Sequence, residues 1–413
     1  MKRRVVITGL GAITPVGHTC RETWDNLVKG VSGFDYITHF DASNFSTRFA
    51  AEVKNFNPAD HFDLKEGRKL DSYTQFALVA SREAIKDAGL AESNVNPERV
   101  GVITGAGIGG IMTLEEECGK FIAGGPRKVS PFFIPKMISN IAAAHIAIEN
   151  GYKGINFNIA SACASANHAI GTAFRSIQYG DADVIITGGT EAAVTPLSLA
   201  GFGALRALST RNDDPKTSSR PFDKDRDGFV MSEGAAILVL EELEHAKARG
   251  AQIYAEVAGY GASDDAFHIT APLEDGSGSV LCMTAAIRDA GLQPQDIQYI
   301  NAHGTSTPLN DKCETLSIKK TFGDYAYKLK INSTKSMVGH MLGAAAGIEA
   351  IVCCKTIQTG WIHPTMNLFN PDPECDLDYV PNQAQQVKVD NALSNSLGFG
   401  GHNSALVIKR YSD

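Results

Sequence analysis

The sequence predicts a layered α/β fold of two pseudo-duplicated halves, with mixed β-sheets sandwiched between helices. Short β-branched runs such as RVVIT and AAILVLE alternate with Ala-rich helical stretches such as FALVASREAIKDAG, which is the pattern of layers with buried strands. The segment AIKDAGL at 84–90 recurs as AIRDAGL at 286–292. Because each copy leads into a β-rich run and a Gly-containing loop, the two segments indicate an internal repeat.

A second internal similarity supports the same duplication. GFVMSEGAAILVL at 228–240 resembles GFGGHNSALVIK at 398–409, since both are Gly-rich turns that enter an apolar strand. The two similarities keep their order along the chain. We therefore expect one half at residues 1–250 and the other at 251–413, with the boundary following the helical EELEHAKARG.

Composition limits the classes of function. The 413 residues are 43% hydrophobic and 20% charged, so the chain can bury a large core. A net charge of −8 offers no general attraction for nucleic acid or an anionic membrane, and no apolar stretch is long enough to span one. The N-terminal MKRR enters an apolar strand too early for a signal peptide, and the eight cysteines form no C-x-x-C pair. We expect a cytoplasmic protein with free thiols and with no nucleic-acid or membrane partner.

A glycine-rich turn, GAGIGG at 105–110, fits the letters of a dinucleotide-binding fingerprint. That fingerprint also needs another strand and an acidic residue about twenty positions further on to hold the ribose. Here the acidic residues of MTLEEECGK come too early, and no convincing second strand follows. The sequence therefore favours a tight strand-to-helix turn over a nucleotide site.

Cys163 occupies a position suited to a nucleophile. It lies in NIASACASANHAIGTAF, after a strand-like run and at the start of a predicted helix with small neighbouring residues. A thiol at a helix N-terminus faces unpaired backbone N–H groups and the positive end of the helix dipole, so we expect a lowered pKa. Neighbouring N–H groups at such a corner can also bind an oxyanion. A small buried structural cysteine is the alternative.

Two further segments each place a histidine in a Gly-containing turn after a strand. His303 lies in NAHGTSTPLND at 301–311, and His340 lies in NSTKSMVGHMLGAAAGIEA at 332–350. From such turns both imidazoles can reach a shared cavity. His340 precedes an Ala/Gly-rich helix much as Cys163 precedes its own helix. Duplication would thus place these two residues at equivalent positions that face each other.

The motifs SACAS, EGAA, NAHGTSTPLND, STKSMVGH and GFGG together resemble those of the β-ketoacyl-acyl carrier protein synthases, and the resemblance extends from VVITGLGAITPVG to LGFGGHNSALVIK. It implies a thiolase-like fold, a homodimer, and a decarboxylative condensation of an acyl group with malonyl-acyl carrier protein. Within the family the chain resembles the type II enzymes that elongate medium and long chains in fatty acid synthesis. It also implies that no cofactor is required and that the substrates carry phosphopantetheine.

The resemblance implies a role for each matching residue. Cys163 would hold the acyl group, and its N–H together with that of Phe399 would form the oxyanion hole. His303 and His340 would donate hydrogen bonds to the malonyl thioester oxygen as carbon dioxide leaves, and Lys335 would orient the pair. The implied substrate contacts are Thr305 and Thr307 for the phosphopantetheine arm, Ile108, Phe202 and Phe399 for the acyl-pocket wall and gate, and Thr270.

A monovalent cation site is also implied by the resemblance. Its ligands would be Asn301, Ala302, Glu349, Ser394 and Asn395, whose oxygens suit a hard ion. A plain hydrogen-bond network around Glu349 is the alternative.

Basic residues outside these motifs predict a docking surface for an acidic acyl carrier protein. Three of them, in the helix-like DLKEGRKLD, are expected to share one helical face. Against a net charge of −8, such a cluster would steer the encounter more than it adds affinity. The predicted members are Lys65, Arg68, Lys69, Arg127, Lys128 and Arg206.

Other classes stay open on the sequence alone. A degradative thiolase shares the fold and a nucleophilic cysteine but uses a second cysteine near its C-terminus as the base. Here the C-terminal turn is GFGGHN, and the last cysteine, Cys375, comes earlier. A polyketide ketosynthase would carry the same chemistry, whereas a non-catalytic chain-length or scaffold subunit would typically lack the nucleophile that Cys163 supplies.

Overall fold

The computed structural model describes residues 2–412. Its strands are β1 (Val5–Ile13), β2 (Asp35–Tyr36), β3 (Phe49–Ala50), β4 (Val100–Gly105), β5 (Asn156–Ile159), β6 (Val184–Ala192), β7 (Glu233–Glu242), β8 (Ala255–Asp264), β9 (Tyr299–Asn301), β10 (Lys330–Asn332), β11 (Trp361–Ile362), β12 (Gln385–Gln386), β13 (Asn391–Gly398) and β14 (His402–Lys409). Its α-helices are α1 (Cys20–Val28), α2 (Leu64–Gly67), α3 (Ser72–Asp87), α4 (Ile111–Gly124), α5 (Phe133–Met137), α6 (Ile141–Asn150), α7 (Ser165–Tyr179), α8 (Pro196–Ala204), α9 (Leu243–Ala248), α10 (Ser277–Asp289), α11 (Pro308–Phe322), α12 (Lys335–Val338) and α13 (Ala345–Thr359).

Ten strands form one mixed sheet in the order β10-β9-β13-β14-β8-β1-β7-β6-β4-β5. Counted inward from either edge, the first two pairings are parallel and the next two are antiparallel. The two halves of the sheet meet where β1 pairs with β8. This mirrored order confirms the layered fold of two duplicated halves. The expected boundary at residue 250 falls in the connection between α9 and β8.

The duplication is also visible where an outer helix packs on the first strand of each half. A Cβ built on Gly11 of β1 would lie 2.1 Å from the carbonyl oxygen of Ala80 in α3. A Cβ built on Gly261 of β8 would lie 2.0 Å from the carbonyl oxygen of Cys282 in α10. Glycine therefore permits the same close helix-on-strand approach in both halves. The repeated AIKDAGL and AIRDAGL segments belong to the C-terminal ends of these two helices.

Two helices occupy the centre of the molecule. Helix α7 packs on β6 and β4, α13 packs on β13 and β7, and the two helices contact each other. Their apolar side chains join strands of both halves in one central hydrophobic core, and almost the whole of α13 is buried. Outer cores lie between the sheet and α3 with α6, and between the sheet and α10 with α11. Cys163, just before α7, and His340, just before α13, line the same cavity.

The helix predicted for DLKEGRKLD is shorter than expected. Helix α2 spans only Leu64–Gly67, and Arg68 is its C-terminal cap. Lys69 therefore leaves the shared face and pairs instead with Glu66, with Nζ and Oε1 2.7 Å apart. The prediction of one common helical face was wrong, because Gly67 weakens the helix at its fourth residue. Along residues 2–412, no helix is both long and apolar enough to cross a membrane.

Candidate active site

A sharp turn between β5 and α7 holds Cys163. Ala162 has a φ of +49°, a left-handed conformation that non-glycine residues seldom adopt. A Cβ on Gly398 would lie 2.8 Å from the carbonyl oxygen of Ser161, so a glycine is needed for the C-terminal turn to approach this closely. As a result, the backbone N–H groups of Cys163 and Phe399 both lie near the Cys163 sulfur, where they lower the pKa of its thiol. The structure thus brings together the two donors expected to form an oxyanion hole.

The pKa of Cys163 corrects the expectation from the sequence. The residue is 8% exposed, and burial raises the pKa of its thiol to about 11, against the opposing effects of Lys335 and the two N–H groups. The predicted lowering was wrong in sign, because desolvation of a thiolate in this interior outweighs the favourable helix end. The thiol is therefore protonated at rest, and its proton must leave for the sulfur to attack.

His303 and His340 lie in the same cavity, with ring centroids 5.5 Å apart. His303 Nδ1 lies 3.4 Å from Lys335 Nζ, which can only donate, and His340 Nδ1 accepts the Leu342 N–H at 3.2 Å. With Nδ1 accepting in both rings, each neutral imidazole carries its proton on Nε2. Burial, and after it the charge of Lys335, lowers the pKa of both histidines well below the usual range. The site therefore holds two neutral N–H donors side by side.

A buried ion pair supports the histidines. Lys335, at the start of α12, hydrogen-bonds Glu349 of α13 through Nζ and Oε1, and both side chains are buried. Burial raises the pKa of Glu349 to about 7, although Lys335 opposes the shift. Because Lys335 also faces His303 Nδ1, its charge both orients that ring and disfavours its protonation.

The cavity around these groups has a volume of about 390 Å³. The Phe202 ring lies 5.4 Å from the Phe229 ring and 6.4 Å from the Phe399 ring, which gives the cavity an apolar wall. The hydroxyls of Thr305 and Thr307 lie 2.9 Å apart. Predicted residues that line the cavity are Cys163, Phe202, Arg206, Thr270, His303, Thr305, Thr307, His340 and Phe399.

The GAGIGG turn already holds an anion of the protein itself. The N–H groups of Gly107, Ile108 and Gly109 donate to the Glu191 carboxylate at 2.8, 3.1 and 3.0 Å. These are the groups that a dinucleotide phosphate would need, so the turn is not free to bind one. Ile108 is 38% exposed and is not among the cavity-lining residues, so its role in the acyl-pocket wall stays a prediction.

The residues expected to hold a cation are buried together. Asn301 of β9 pairs with Ser394 of β13, and Ala302 follows directly. Four of the five predicted residues each carry one buried side-chain oxygen without a hydrogen-bond partner; these oxygens are Asn301 Oδ1, Glu349 Oε2, Ser394 Oγ and Asn395 Oδ1. Buried oxygens without donors fit a hard monovalent cation, so the residues suit the implied ion.

The predicted docking residues are spread over three surface segments. Lys65 and Arg68 are exposed around α2, and Arg127 and Lys128 are exposed in the 3-10 turn Pro126–Lys128. Lys69 is half-buried, with its Nζ 5.9 Å from the centre of the Phe132 ring. Arg206 is exposed and also lines the cavity.

Sequence reasoning missed the groups that act through the backbone. Glu314 accepts the N–H groups of His303 and Gly304, both at 2.8 Å, and so holds the His303 turn in place. The Leu342 N–H helps to hold His340, because it donates to Nδ1 of the ring. Glu314 could have been suspected as an acidic residue directly after the His303 motif, but the Leu342 donor leaves no mark in side-chain identity.

A thiol that can be acylated, opposite two neutral N–H donors in one cavity, defines a condensing enzyme of the thiolase-like class. Comparison with known proteins agrees with this class. The family model of the β-ketoacyl synthase N-terminal domain matches residues 2–246, and that of the C-terminal domain matches residues 254–369. The chain belongs to the β-ketoacyl synthase family.

Similar proteins cover the whole chain. It is 53% identical over 409 residues to a 3-oxoacyl-[acyl-carrier-protein] synthase 2 of Staphylococcus aureus, with 99% of both chains covered. It is 53% identical over 410 residues to the protein of that name from Synechocystis sp., again with 99% of both covered. A β-ketoacyl synthase structure from Burkholderia phymatum matches at a TM-score of 0.92 and 36% identity, over 99% of this chain and 100% of that one. A type II polyketide ketosynthase in complex with its acyl-carrier protein matches at 0.92 and 37%, over 100% of both.

Proposed function

We propose that this chain is a β-ketoacyl-acyl carrier protein synthase of fatty acid elongation. It condenses an acyl group held on Cys163 with malonyl-acyl carrier protein and gives β-ketoacyl-acyl carrier protein and carbon dioxide. The observation that carries this proposal is the single cavity in which Cys163 meets two neutral imidazoles. The full-length identity of 53% to 3-oxoacyl-[acyl-carrier-protein] synthase 2 supports it.

The first half-reaction stores the acyl group. Cys163 loses its proton, and the sulfur attacks the thioester carbonyl of the acyl carrier protein substrate, forming a C–S bond. The oxyanion that develops accepts hydrogen bonds from the N–H groups of Cys163 and Phe399, which already converge on the sulfur. Collapse breaks the bond to phosphopantetheine, whose thiol leaves with the proton.

The second half-reaction forms the carbon–carbon bond. The Nε2–H groups of His303 and His340 donate to the malonyl thioester oxygen while the C–CO₂ bond breaks and its electron pair forms an enolate. The enolate carbon attacks the acyl carbonyl on Cys163, and the sulfur is expelled as the leaving group. Neutral donors suit this step, because they stabilise the enolate oxygen without readily transferring a proton to it. Burial and Lys335 keep both rings neutral.

The cavity walls suggest how the substrate is held. The Thr305 and Thr307 hydroxyls, together with Thr270, would bind the polar phosphopantetheine arm. The aromatic wall containing Phe202 and Phe399 would cover the acyl chain, where each buried methylene contributes about 0.8 kcal/mol. Ile108 would close the far end of that pocket.

The partner in this proposal is an acyl carrier protein, loaded with an acyl or a malonyl group. Arg206 stands on the cavity wall, and the exposed basic residues around α2 and in the turn Pro126–Lys128 extend the positive surface outward. Such charges attract an acidic carrier and orient it before contact. A structural relative is a ketosynthase in complex with its own acyl-carrier protein, which supports this choice of partner.

A structural monovalent cation is part of the proposal. The donor-free oxygens of Asn301, Glu349, Ser394 and Asn395, with the adjacent Ala302, would hold it. Such an ion would place positive charge beside Glu349 Oε2, the carboxylate oxygen that Lys335 does not contact.

The proposed enzyme is a cytoplasmic homodimer. Each subunit consists of two halves, residues 1–250 and 251–413. Strand β5 lies at an edge of the sheet and exposes Asn156 and Phe157, so its backbone can pair with a second copy. The eight cysteines are free thiols, which suits a reducing compartment.

The rival activities fit this site less well. A thiolase needs a second thiol as a base, but Cys375 does not line the cavity. Cys313 does line it, yet its sulfur faces the Glu274 carbonyl oxygen at 3.9 Å. A polyketide ketosynthase would use the same residues; the 53% identity to fatty acid relatives, against 37% to the polyketide structure, favours fatty acid synthesis.

The direct test is the intact mass of the protein after incubation with an acyl-acyl carrier protein alone. We expect the wild-type chain to gain one acyl group, Cys313→Ala to gain the same group, and Cys163→Ala to gain none. A folded wild-type protein that stays unmodified, or a thioester that survives in Cys163→Ala, would refute the assignment.

A further inference from the structure

One buried carboxylate receives backbone donors from two separate turns. Glu191 lies near the end of β6, fully buried, and makes no ion pair among the described residues. Its Oε1 accepts the N–H groups of Ile108 and Gly109, and its Oε2 accepts those of Gly107 and Gly343, at 2.8 to 3.1 Å. Four donors aimed at two oxygens are satisfied together only by an ionised carboxylate.

The two turns belong to different halves of the molecule. Gly107 follows β4, whereas Gly343 lies in the 3-10 turn Leu342–Ala344. A Cβ on Gly343 would lie 2.3 Å from the Gly107 nitrogen and 2.6 Å from Glu191 Oε2. Gly109 has a φ of +79°, which favours glycine there as well. Glycine thus lets both turns reach the same carboxylate.

Gly343, which donates its N–H to Glu191, directly follows Leu342, whose N–H fixes the His340 tautomer. Leu342 donates its N–H to His340 Nδ1 at 3.2 Å, and it does so with a φ of +45°. A leucine in this left-handed region is strained, so its neighbours must hold it there. The hydrogen bond from the Gly343 N–H to Glu191 provides that restraint.

We propose that Glu191 is a positioning residue for the decarboxylation step, because it anchors the Leu342–Ala344 turn to the GAGIGG turn and thereby keeps His340 in its Nε2–H form. The inference rests on the proposed function, since His340 acts in that half-reaction. The oxyanion donors at Cys163 and Phe399 are held instead by the close approach of Gly398. Loss of the Glu191 carboxylate should therefore slow decarboxylation more than acylation.

The test compares the two half-reactions in Glu191→Gln. The amide keeps the size of the side chain but turns an NH₂ group toward backbone donors, so contacts to one or both turns are lost. We expect malonyl-acyl carrier protein decarboxylation to fall roughly 10- to 100-fold, as a small displacement of a catalytic group does. Acylation of Cys163 should not slow, because the Glu191 charge raises the pKa of that thiol and its removal favours the thiolate. The matched control is Glu241→Gln, an equally buried carboxylate bound by Arg249 and Thr8. It should lower the melting temperature and leave the ratio of the two rates unchanged.

A second variant covers the case in which Glu191→Gln does not fold. Gly343→Ala pushes its turn off the carboxylate, and 15N chemical shifts of His340 should then report loss of the Nε2–H tautomer that the Leu342 contact implies for the wild type. An unchanged tautomer in Gly343→Ala, or equal effects of Glu191→Gln on both half-reactions, overturns the role of Glu191. A wild-type protein that is never acylated on Cys163 contradicts the proposed function instead, and the 15N shifts still test the positioning role.

Discussion

The starts of α7 and α13 lie at equivalent places in the two halves, and they carry opposite kinds of reactive group. Cys163 precedes α7, and burial raises the pKa of its thiol to about 11; His340 precedes α13, and burial lowers the pKa of its imidazole well below the usual range. Desolvation thus drives both groups to their neutral forms. One buried site therefore supplies a protonated nucleophile in one half and neutral hydrogen-bond donors in the other.

The halves also differ in how they support these groups. Around Cys163 the support consists of backbone N–H groups brought close by Gly398. Around the histidines it includes a buried ion pair, Lys335 with Glu349. Acyl storage and decarboxylation thus share a cavity but depend on separate structural elements, so variants should separate them.

The largest effect is expected from breaking the ion pair. Lys335→Met leaves the Glu349 carboxylate buried without its partner, which should reduce the free energy of unfolding by about 3–5 kcal/mol. The double variant Lys335→Met with Glu349→Gln should recover much of that loss in urea unfolding. It should not recover decarboxylation, because His303 Nδ1 still lacks its donor. Full recovery of both would mean that the pair supports folding alone.

The two half-reactions should differ in their pH dependence. Below a thiol pKa of about 11 the thiolate fraction grows about tenfold per pH unit, so the acylation rate should rise steadily from pH 6.5 to 8.5. Both imidazoles are already neutral in this range, so decarboxylation should change far less than acylation. It should fall below about pH 7, first as Glu349, whose pKa is about 7, is protonated and its ion pair with Lys335 is lost, and then as the imidazoles are protonated at their lowered pKa values. Single-turnover rates of each step measure this directly. Parallel profiles would argue that one group controls both steps.

Chain length tests whether Ile108 belongs to the acyl pocket. Ile108→Phe should slow acylation by long donors roughly tenfold, the rate equivalent of the 1–3 kcal/mol that overpacking costs, and spare short donors. Ile148→Phe, the same change at an exposed position on α6, is the control. Ile108 is 38% exposed in the single chain, so its place in the pocket needs this test. An unchanged dependence on chain length, with an unchanged melting temperature, would show that Ile108 does not belong to the pocket.

The smallest effect concerns docking. Arg68→Glu should raise KM for carrier-protein substrates a few-fold and weaken its dependence on salt, because screened surface charges mainly govern encounter. Lys86→Glu on α3 makes the same change in charge away from the predicted surface and should have little effect. A pantetheine-linked substrate without the carrier should distinguish the two explanations: if Arg68→Glu slows it equally, the residue acts on folding or on the site.

Much of the fold and the reacting groups could be predicted, because repeated segments and motifs in the sequence indicate them. The AIKDAGL repeat indicated duplication, and the motifs around Cys163, His303 and His340 indicated a shared cavity, which the structure shows. The sign of the Cys163 pKa shift was not predictable in this way, since it depends on burial that the whole fold creates. The Glu191 contacts escaped for a related reason: backbone donors from two distant turns follow no spacing rule.

If the two halves supply separable steps, the single variants His303→Ala and His340→Ala should each lose one half-reaction and keep the other. Each variant should still form the Cys163 thioester, measured by intact mass, while malonyl-acyl carrier protein decarboxylation falls by about 10²–10³-fold through loss of an oxyanion donor. Cys163→Ala serves as the reverse control, since it cannot be acylated but retains both imidazoles. If folded His303→Ala or His340→Ala lost acylation and decarboxylation to the same extent, the division of labour between the halves would be contradicted.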